Sequence, residues 1–364
     1  MARQLKVFIV GSAKVDYSKD ILGNFNNQLL SVFEKSHLII STLPESDLFI
    51  SINHSNQAYR EFQKSGKKKN QAVLIRSEPD VVFPAQYKER ILNKYGLVIT
   101  LGNKEKDDGG FYYIQNPYSY LPNPNSQMAR GPDIKDILDS RKFNDLFEFD
   151  NWQKREIILS LIASNKVSCV RNSNYGLRRD FAVAFPKDFL NIYGEFWNSN
   201  IRKKLKHRVA VVVHGIFNLT VPNLISIYGS FFRKYRNYVG LLDDKHVVVR
   251  QSKFSLVIEN SNEYISEKIF DALINGSIPI YIGPELEKMG IPGKEITIAY
   301  EESPKMLEYK IRNLSNNEVK NYLDSIKKFL NSKDFTDNWI DYIVYRKIAE
   351  KIQEFYKDQN SFYK

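Results

Sequence analysis

Residues 253–283 read KFSLVIENSNEYISEKIFDALINGSIPIYIG. The run Phe254–Ile258 is apolar enough for a buried strand and stops at a polar loop, Glu259-Asn260-Ser261-Asn262. Ser266 suits a helix N-cap, so the spacing predicts a helix over Ser266–Ile274 with Glu267 and Lys268 in its first turn. Gly276 and Pro279 are stop signals, and Ile278–Ile282 reads as the next strand. Polar groups thus gather where a strand meets a helix start, an end with free N–H groups that suits a diphosphate. Lys268 would add a mobile cation and Glu267 an acceptor for ribose hydroxyls. The same residues could equally do no more than cap a helix, and on the residues alone both readings stand.

Outward from this stretch, strands alternate with amphipathic segments. Towards the C-terminus, Ile296–Ala299 reads as a strand, Glu318–Leu330 as a helix, and Asp341–Lys357 as a terminal helix with Val344, Ile348, Ile352 and Phe355 on one face. Upstream, the expected strands are Val167–Val170, Val209–Val213, Val247–Val249 and Ser255–Ile258, with a helix over Trp152–Ala163. Between Asn103 and Asp150 the chain is rich in Asp, Gly, Asn, Pro and Tyr, including Asp107-Asp108-Gly109-Gly110, which predicts loops and short irregular pieces. Tyrosines 112, 113, 118 and 120 there, with Tyr95 just upstream, either stack on sugar rings or pack the loops. The first part has strand candidates Val7–Val10, Leu38–Ile40, Leu48–Ile52, Ala72–Ile75 and Leu97–Leu101, with Phe25–Phe33 helical between the first two. The pattern predicts an α/β protein of two parallel-sheet domains with helices on their faces.

The 364 residues suit two domains. A single cysteine, Cys169, excludes an internal disulfide and fits a reducing cytosol or a bacterial source. No window approaches the ~20 apolar residues of a membrane span, so the expectation is a cytoplasmic protein. The net charge of +11 favours anionic partners. Nucleic acid is not expected, because no helix-turn-helix, zinc-finger or RNP pattern is present. The terminal helix, with Lys347, Lys351 and Lys357 off its apolar face, either packs on the protein or touches the inner face of a membrane peripherally.

The stretch Phe254, Leu256, Glu259-Asn260-Ser261, Tyr264-Ile265-Ser266-Glu267-Lys268, Gly276, Ile278-Pro279-Ile280 resembles the hallmark of the α-1,3/4-fucosyltransferases in order and spacing. Lys166-Val167-Ser168, the Asn172-Ser173-Asn174 loop and Arg178 or Arg179 are similar to that family's diphosphate-binding segment, with Arg178 at the better offset from Phe181. Leu74-Ile75-Arg76-Ser77-Glu78-Pro79 looks like the strand end that carries the family's proposed base, although the order Ser-Glu-Pro departs from its Glu-Ser-Pro. The alternative for Glu78 is a turn residue before Pro79.

The resemblance covers roughly residues 70–300 and implies the GT-B fold: two Rossmann-like domains facing a central cleft, with a C-terminal helix. The expected division is residues 1–150 for the acceptor, 151–335 for the donor nucleotide, and 336–364 for a helix returning to the first domain. It implies an inverting transfer of L-fucose from GDP-fucose to a hydroxyl of an oligosaccharide, polysaccharide or glycolipid. Glu78 would be the general base, and Arg178, Asn260, Tyr264, Glu267 and Lys268 the donor-binding residues. His214 is the reserve base. The chain contains no Asp-x-Asp pair, so no cofactor and no essential divalent metal are expected. Two alternatives remain: another GDP-sugar donor on the same fold, or a non-catalytic binding protein on a degenerate transferase fold.

Overall fold

The computed structural model describes residues 4–11, 23–102, 111–120, 133–168, 170, 172–198, 233–300 and 303–361. The Asp107–Gly110 loop, Cys169, the Val209–Val213 strand and His214 lie outside them. The chain divides into two compact units, one of Met1–Ser119, Pro124–Arg130 and Asp337–Lys364, the other of Tyr120–Asn123 and Gly131–Thr336.

The first unit is built on a parallel sheet of β1 (Leu5–Gly11), β2 (Leu38–Ile40), β3 (Leu48–Ile52), β4 (Ala72–Arg76), β5 (Leu97–Leu101) and β6 (Phe111–Ile114). Among the described residues its order is β2-β1-β3-β4-β5-β6. The period of two is explicit in the packing. Val7, Ile9, Ile50, Ile52, Val73, Ile75, Leu97 and Ile99 enter one core, with Leu29 and Phe33 of the Gly23–Lys35 helix. Val10, Phe49, Ala72, Leu74 and Val98 enter the other, under Ala58, Tyr59 and Phe62 of the Asn56–Lys64 helix. The terminal helix, Asp341–Ser361, closes the first of these cores with Val344, Ile348 and Ile352. Its apolar face is therefore occupied by the protein's own sheet, and Lys351 lies 4.1 Å over the Tyr112 ring. Among the described residues no helix is long and apolar enough to cross a membrane.

The second unit carries β7 (Ile157–Ile162), β8 (Leu190–Tyr193), β9 (Tyr238–Gly240), β10 (Ser252–Ile258), β11 (Ile278–Ile282) and β12 (Ile298–Ala299), all parallel, in the order β12-β11-β10-β7-β8-β9. Strand order reverses between β7 and β10, and loops leaving the carboxyl ends of that pair are where doubly wound sheets bind ligands.

Three sequence expectations fail in this unit, each for a local reason. The helix expected over Trp152–Ala163 is a short helix, Phe149–Gln153, followed by β7. The run Ile157-Ile158-Leu159-Ser160-Leu161-Ile162 pairs on both sides, with β8 and β10, and the sheet overrides the helical spacing. Val167 and Ser168 are not in a strand, since the residues beyond Ile162 leave the sheet. Val247–Val249 lies in a helix, Lys245–Gln251, which Asp244 caps by accepting from the His246 N–H at 2.8 Å. The cap outweighs the β-branched run. Among its described residues, the segment read as loops between Asn103 and Asp150 supplies β6, in the first unit, and three short helices. Tyr118, Tyr120 and the upstream Tyr95 pack within the protein. Tyr118 is fully buried, Tyr95 bonds His54, and Tyr120 stacks on His246 with centroids 3.6 Å apart.

Gly276 ends the helix before β11 in the left-handed region (φ +65°), and a Cβ there would come within 2.6 Å of the Leu146 carbonyl oxygen. Gly276→Ala is expected to cost at least about 1–3 kcal/mol from backbone conformation alone, with the clash in addition. A thermal or denaturant melt reads it as a clear loss of stability.

Candidate functional site

Two loops that are distant in sequence meet at the reversal between β7 and β10. The loop after β10 begins with Glu259, and the loop after β7 leads into the helix Tyr175–Ala184. They are joined by an antiparallel bridge between Ser173 and Ser261, by the Asn174 N–H donating to the Asn260 carbonyl at 3.0 Å, and by Asn174 Nδ2 donating to Asn262 Oδ1 at 2.8 Å.

Arg178 sits across the junction. One Nη donates to the Ile258 carbonyl at 3.0 Å and to Asn260 Oδ1 at 2.9 Å, and its guanidinium lies 4.7 Å from the Tyr175 ring centroid. The side chain is buried, and burial holds its pKa below the ordinary arginine value. Its Nε has no hydrogen-bond partner among the described residues, so this buried cation retains donor capacity. Arg179 differs. Its Nη1 donates to Asn165 Oδ1 at 3.0 Å and to the Lys166 carbonyl at 2.9 Å, which ties it to the loop after β7 and away from β10.

The helix after β10 starts later than its sequence suggests. It runs Lys268–Ile274, with Glu267 at the N-cap position. Ser266 lies one residue before the cap position, where its Oγ still accepts from the Lys268 N–H at 3.4 Å, while its own hydroxyl and N–H donate to Glu259, Oγ to Oε2 at 2.5 Å and N to Oε1 at 3.0 Å. Lys268 Nζ donates to Ser266 Oγ at 2.7 Å and lies 3.8 Å from Glu259 Oε2 and 4.0 Å from Glu267 Oε1. Glu259 is fully buried, which raises its carboxyl above the usual range against the pull of Lys268 and Ser266. Burial acts on Glu267 in the same sense, yet Lys268, Lys245 and Lys166 together hold it below its ordinary value.

Behind this cluster, Lys245 Nζ pairs with Asp271 Oδ2 at 2.5 Å, both side chains buried. Burial alone would lower Lys245, but Asp271 and Glu267 hold it above the ordinary lysine value. Asn260, Glu267 and Lys268 thus share one neighbourhood with Arg178, and Tyr264 is buried in the same loop. Sequence reasoning passed over Glu259, Lys245 and Asp271. The Glu-Asn-Ser run reads as a polar loop, and only its pairing with the end of β11 shows that Glu259 is buried; Lys245 lies just before Val247–Val249, which reads as a strand.

Glu78 lies in the first unit, two residues beyond β4. Its N–H and that of Ser77 donate to Asn53 Oδ1 at 3.2 and 3.0 Å, and its carbonyl accepts from Gln86 Nε2 at 2.9 Å and the Tyr87 hydroxyl at 3.0 Å. Asn53 is itself in the left-handed region (φ +55°), a conformation asparagine tolerates. The backbone of Glu78 is held by neighbours, and the residue is half-buried. Asp80 is the second carboxylate at this strand end. Burial raises its pKa, opposed by the buried Arg76, whose guanidinium lies 4.1 Å from the Tyr87 ring centroid. His54 has both ring nitrogens engaged, by the Tyr95 hydroxyl at 2.8 Å and Asn56 Oδ1 at 2.9 Å. Among the described residues no group of three His, Cys, Asp or Glu side chains is placed to hold a metal ion.

No protein-family model matches the chain. A fucosyltransferase-like protein of Arabidopsis thaliana is 44% identical over 52 residues, 14% of this chain and 10% of that protein. The 4-galactosyl-N-acetylglucosaminide 3-alpha-L-fucosyltransferase 9 of Cricetulus griseus is 37% identical over 65 residues, 17% of each chain. The matched stretches therefore span less than a fifth of the length of either relative. Among solved structures, the Anabaena protein HepE in complex with UDP superposes with a TM-score of 0.53 at 8% identity, covering 96% of this chain and 100% of its own. An alpha1,3-fucosyltransferase with GDP gives 0.51 at 15% identity, over 97% of this chain and 90% of its own. At such identities these superpositions speak for the fold.

Proposed function

We propose, for a chain that has the GT-B fold and is related by sequence to the fucosyltransferases, that it is a glycosyltransferase moving L-fucose from GDP-fucose to a hydroxyl of a glycan acceptor with inversion at the anomeric carbon. The observation that carries this reading is the junction at the strand reversal of the second unit. Arg178 and Lys268, from segments ninety residues apart in sequence, are gathered with Asn260 and Glu267 around one loop pair. Two cations at the carboxyl end of a parallel sheet suit the diphosphate of a sugar nucleotide.

In the proposed reaction Glu78 takes the proton of the acceptor hydroxyl as that oxygen attacks the anomeric carbon, and the nucleoside diphosphate leaves. Arg178 and Lys268 stabilise the charge that develops on the leaving phosphate, and Glu267 holds the ribose. The helix amides contribute less than the sequence suggests, because the first of them, the Lys268 N–H, already donates to Ser266 Oγ at 3.4 Å. Cationic side chains replace a bridging metal in this scheme, in keeping with the missing Asp-x-Asp pair.

A donor panel scored by nucleotide release tests the reading. GDP-fucose is expected to turn over fastest, with GDP-mannose and UDP-glucose slower by an order of magnitude or more, and turnover is expected to persist in excess chelator. A preference for a UDP-sugar would overturn the donor assignment, as the UDP-bound neighbour warns. Loss of turnover in chelator with rescue by a divalent ion would overturn the metal-independent scheme.

A further inference from the structure

We infer that Glu259 is a positioning residue, which fixes the Lys268 ammonium through the Ser266 hydroxyl. The inference rests on the reading of Lys268 as a diphosphate-binding cation and adds a residue on which that cation depends.

The geometry is a relay of three side chains. The Glu259 N–H donates to the Ile282 carbonyl at 2.8 Å, which anchors its backbone to the end of β11. Its carboxylate, fully buried, accepts from both the N–H and the hydroxyl of Ser266. That hydroxyl has one proton and gives it to Glu259, so its lone pairs are left to accept, from the Lys268 ammonium at 2.7 Å and from the Lys268 N–H at 3.4 Å. The ammonium stays 3.8 Å from the carboxylate, close enough for attraction and too far for a direct hydrogen bond. It remains partly exposed, at 21%, with donor capacity left for an anion.

The surroundings explain why the carboxylate is dry. The Tyr281 hydroxyl, buried and without a hydrogen-bond partner among the described residues, lies with Glu259 against Gly283. A Cβ built on Gly283 would come within 2.5 Å of that hydroxyl and 2.7 Å of Glu259 Cγ, so glycine is what allows the two to close over the loop. Burying a carboxylate is costly unless it is paired and hydrogen-bonded. Here the hydrogen bonds come from the residue that holds the ammonium, not from the ammonium itself. A carboxylate needed only for stability could pair with Lys268 directly; this arrangement instead holds the cation at a set distance without satisfying it.

A double-mutant cycle tests the inference, with steady-state turnover, nucleotide affinity and thermal melts measured on the full chain. Glu259→Gln keeps the shape and removes the charge. It is expected to lower kcat by about 10- to 100-fold, the scale of a misplaced catalytic group. GDP affinity is expected to stay within threefold of the parent, because the ammonium is still present. Ser266→Ala breaks the relay at its middle and is expected to match it, with Ser266→Thr recovering at least tenfold over the alanine variant. In a Lys268→Ala background, Glu259→Gln should lower kcat less than threefold further. An additive loss in that background overturns the inference, as does a Glu259→Gln chain that melts normally with unchanged kcat. If Glu259→Gln does not fold, the Ser266 pair decides by the same criteria. If Lys268→Ala itself leaves turnover and GDP binding intact, the underlying site reading fails, an outcome distinct from the other two.

Discussion

Lys268→Ala is expected to lower turnover by about 10²–10³-fold, the cost of losing one well-placed donor to a developing oxyanion. The size follows from where the ammonium sits. It is partly buried among Ser266, Glu259 and Glu267, so its charge is less screened than that of a surface lysine. Lys268→Arg keeps the charge but replaces a compact ammonium with a longer planar fork, and is expected to recover only part of the loss.

The same substitution leaves Glu259 buried without its cation, and this gives a second, independent reading. Glu259 already has a raised pKa, from burial first. A carboxyl whose folded-state pKa lies above its unfolded value favours the folded chain at low pH and weighs against it as pH rises through the folded pKa. Removing Lys268 raises that pKa further. The melting-temperature deficit of Lys268→Ala against the parent is therefore expected to grow from mildly acidic to mildly alkaline buffer. A deficit that is flat with pH would mean that the 3.8 Å separation carries little coupling.

Glu78→Gln is expected to lower kcat by about 10²–10⁴-fold, the range for a positioned general base, with GDP affinity unchanged. The fold favours a clean result. Glu78 is held through its backbone, by Asn53, Gln86 and Tyr87, so exchanging the end of its side chain leaves those three hydrogen bonds in place. Asp80→Asn is the control, because Asp80 shares the strand end and has a carboxyl raised by burial. A smaller loss is expected there. If Asp80→Asn is the more damaging of the two, the base is Asp80 and the departure from the Glu-Ser-Pro order has a mechanistic meaning.

The first sheet was readable because each strand is a short apolar run bounded by polar turns, and its two cores use alternate residues of those runs. Phe111–Ile114 escaped because an aromatic-rich tetrapeptide among Gly and Asp residues carries no apolar alternation. In the second unit periodicity misled twice. Ile157–Ile162 continues the spacing of a preceding helical turn, and only pairing on both sides makes it a strand. Val247–Val249 has strand composition, and a single aspartate cap turns it into a helix.

The site shows the same division. Glu267 and Lys268 could be picked out from residue type and place at a strand-to-helix junction, whereas Arg178 and Asn260 were legible only through the resemblance to the fucosyltransferases. For Ser266 the contact to a first-turn amide was legible because cap preference is a local property, whereas its two bonds to Glu259 depend on that carboxylate being buried in the fold, beside Tyr281 and Gly283. Arg178 and Arg179 are neighbours in sequence and differ only in which strand end they reach, which the order of the sheet decides.

Calorimetric titration of GDP into the parent chain and into Lys268→Ala and Arg178→Lys bears most directly on whether the β7/β10 junction grips a nucleoside diphosphate. Binding to the parent is expected, weakened by about 10- to 150-fold in each variant, equivalent to ~1.5–3 kcal/mol for a hydrogen bond to a charged group. Heat from GDP that is the same in all three proteins, or absent from the parent, would contradict it.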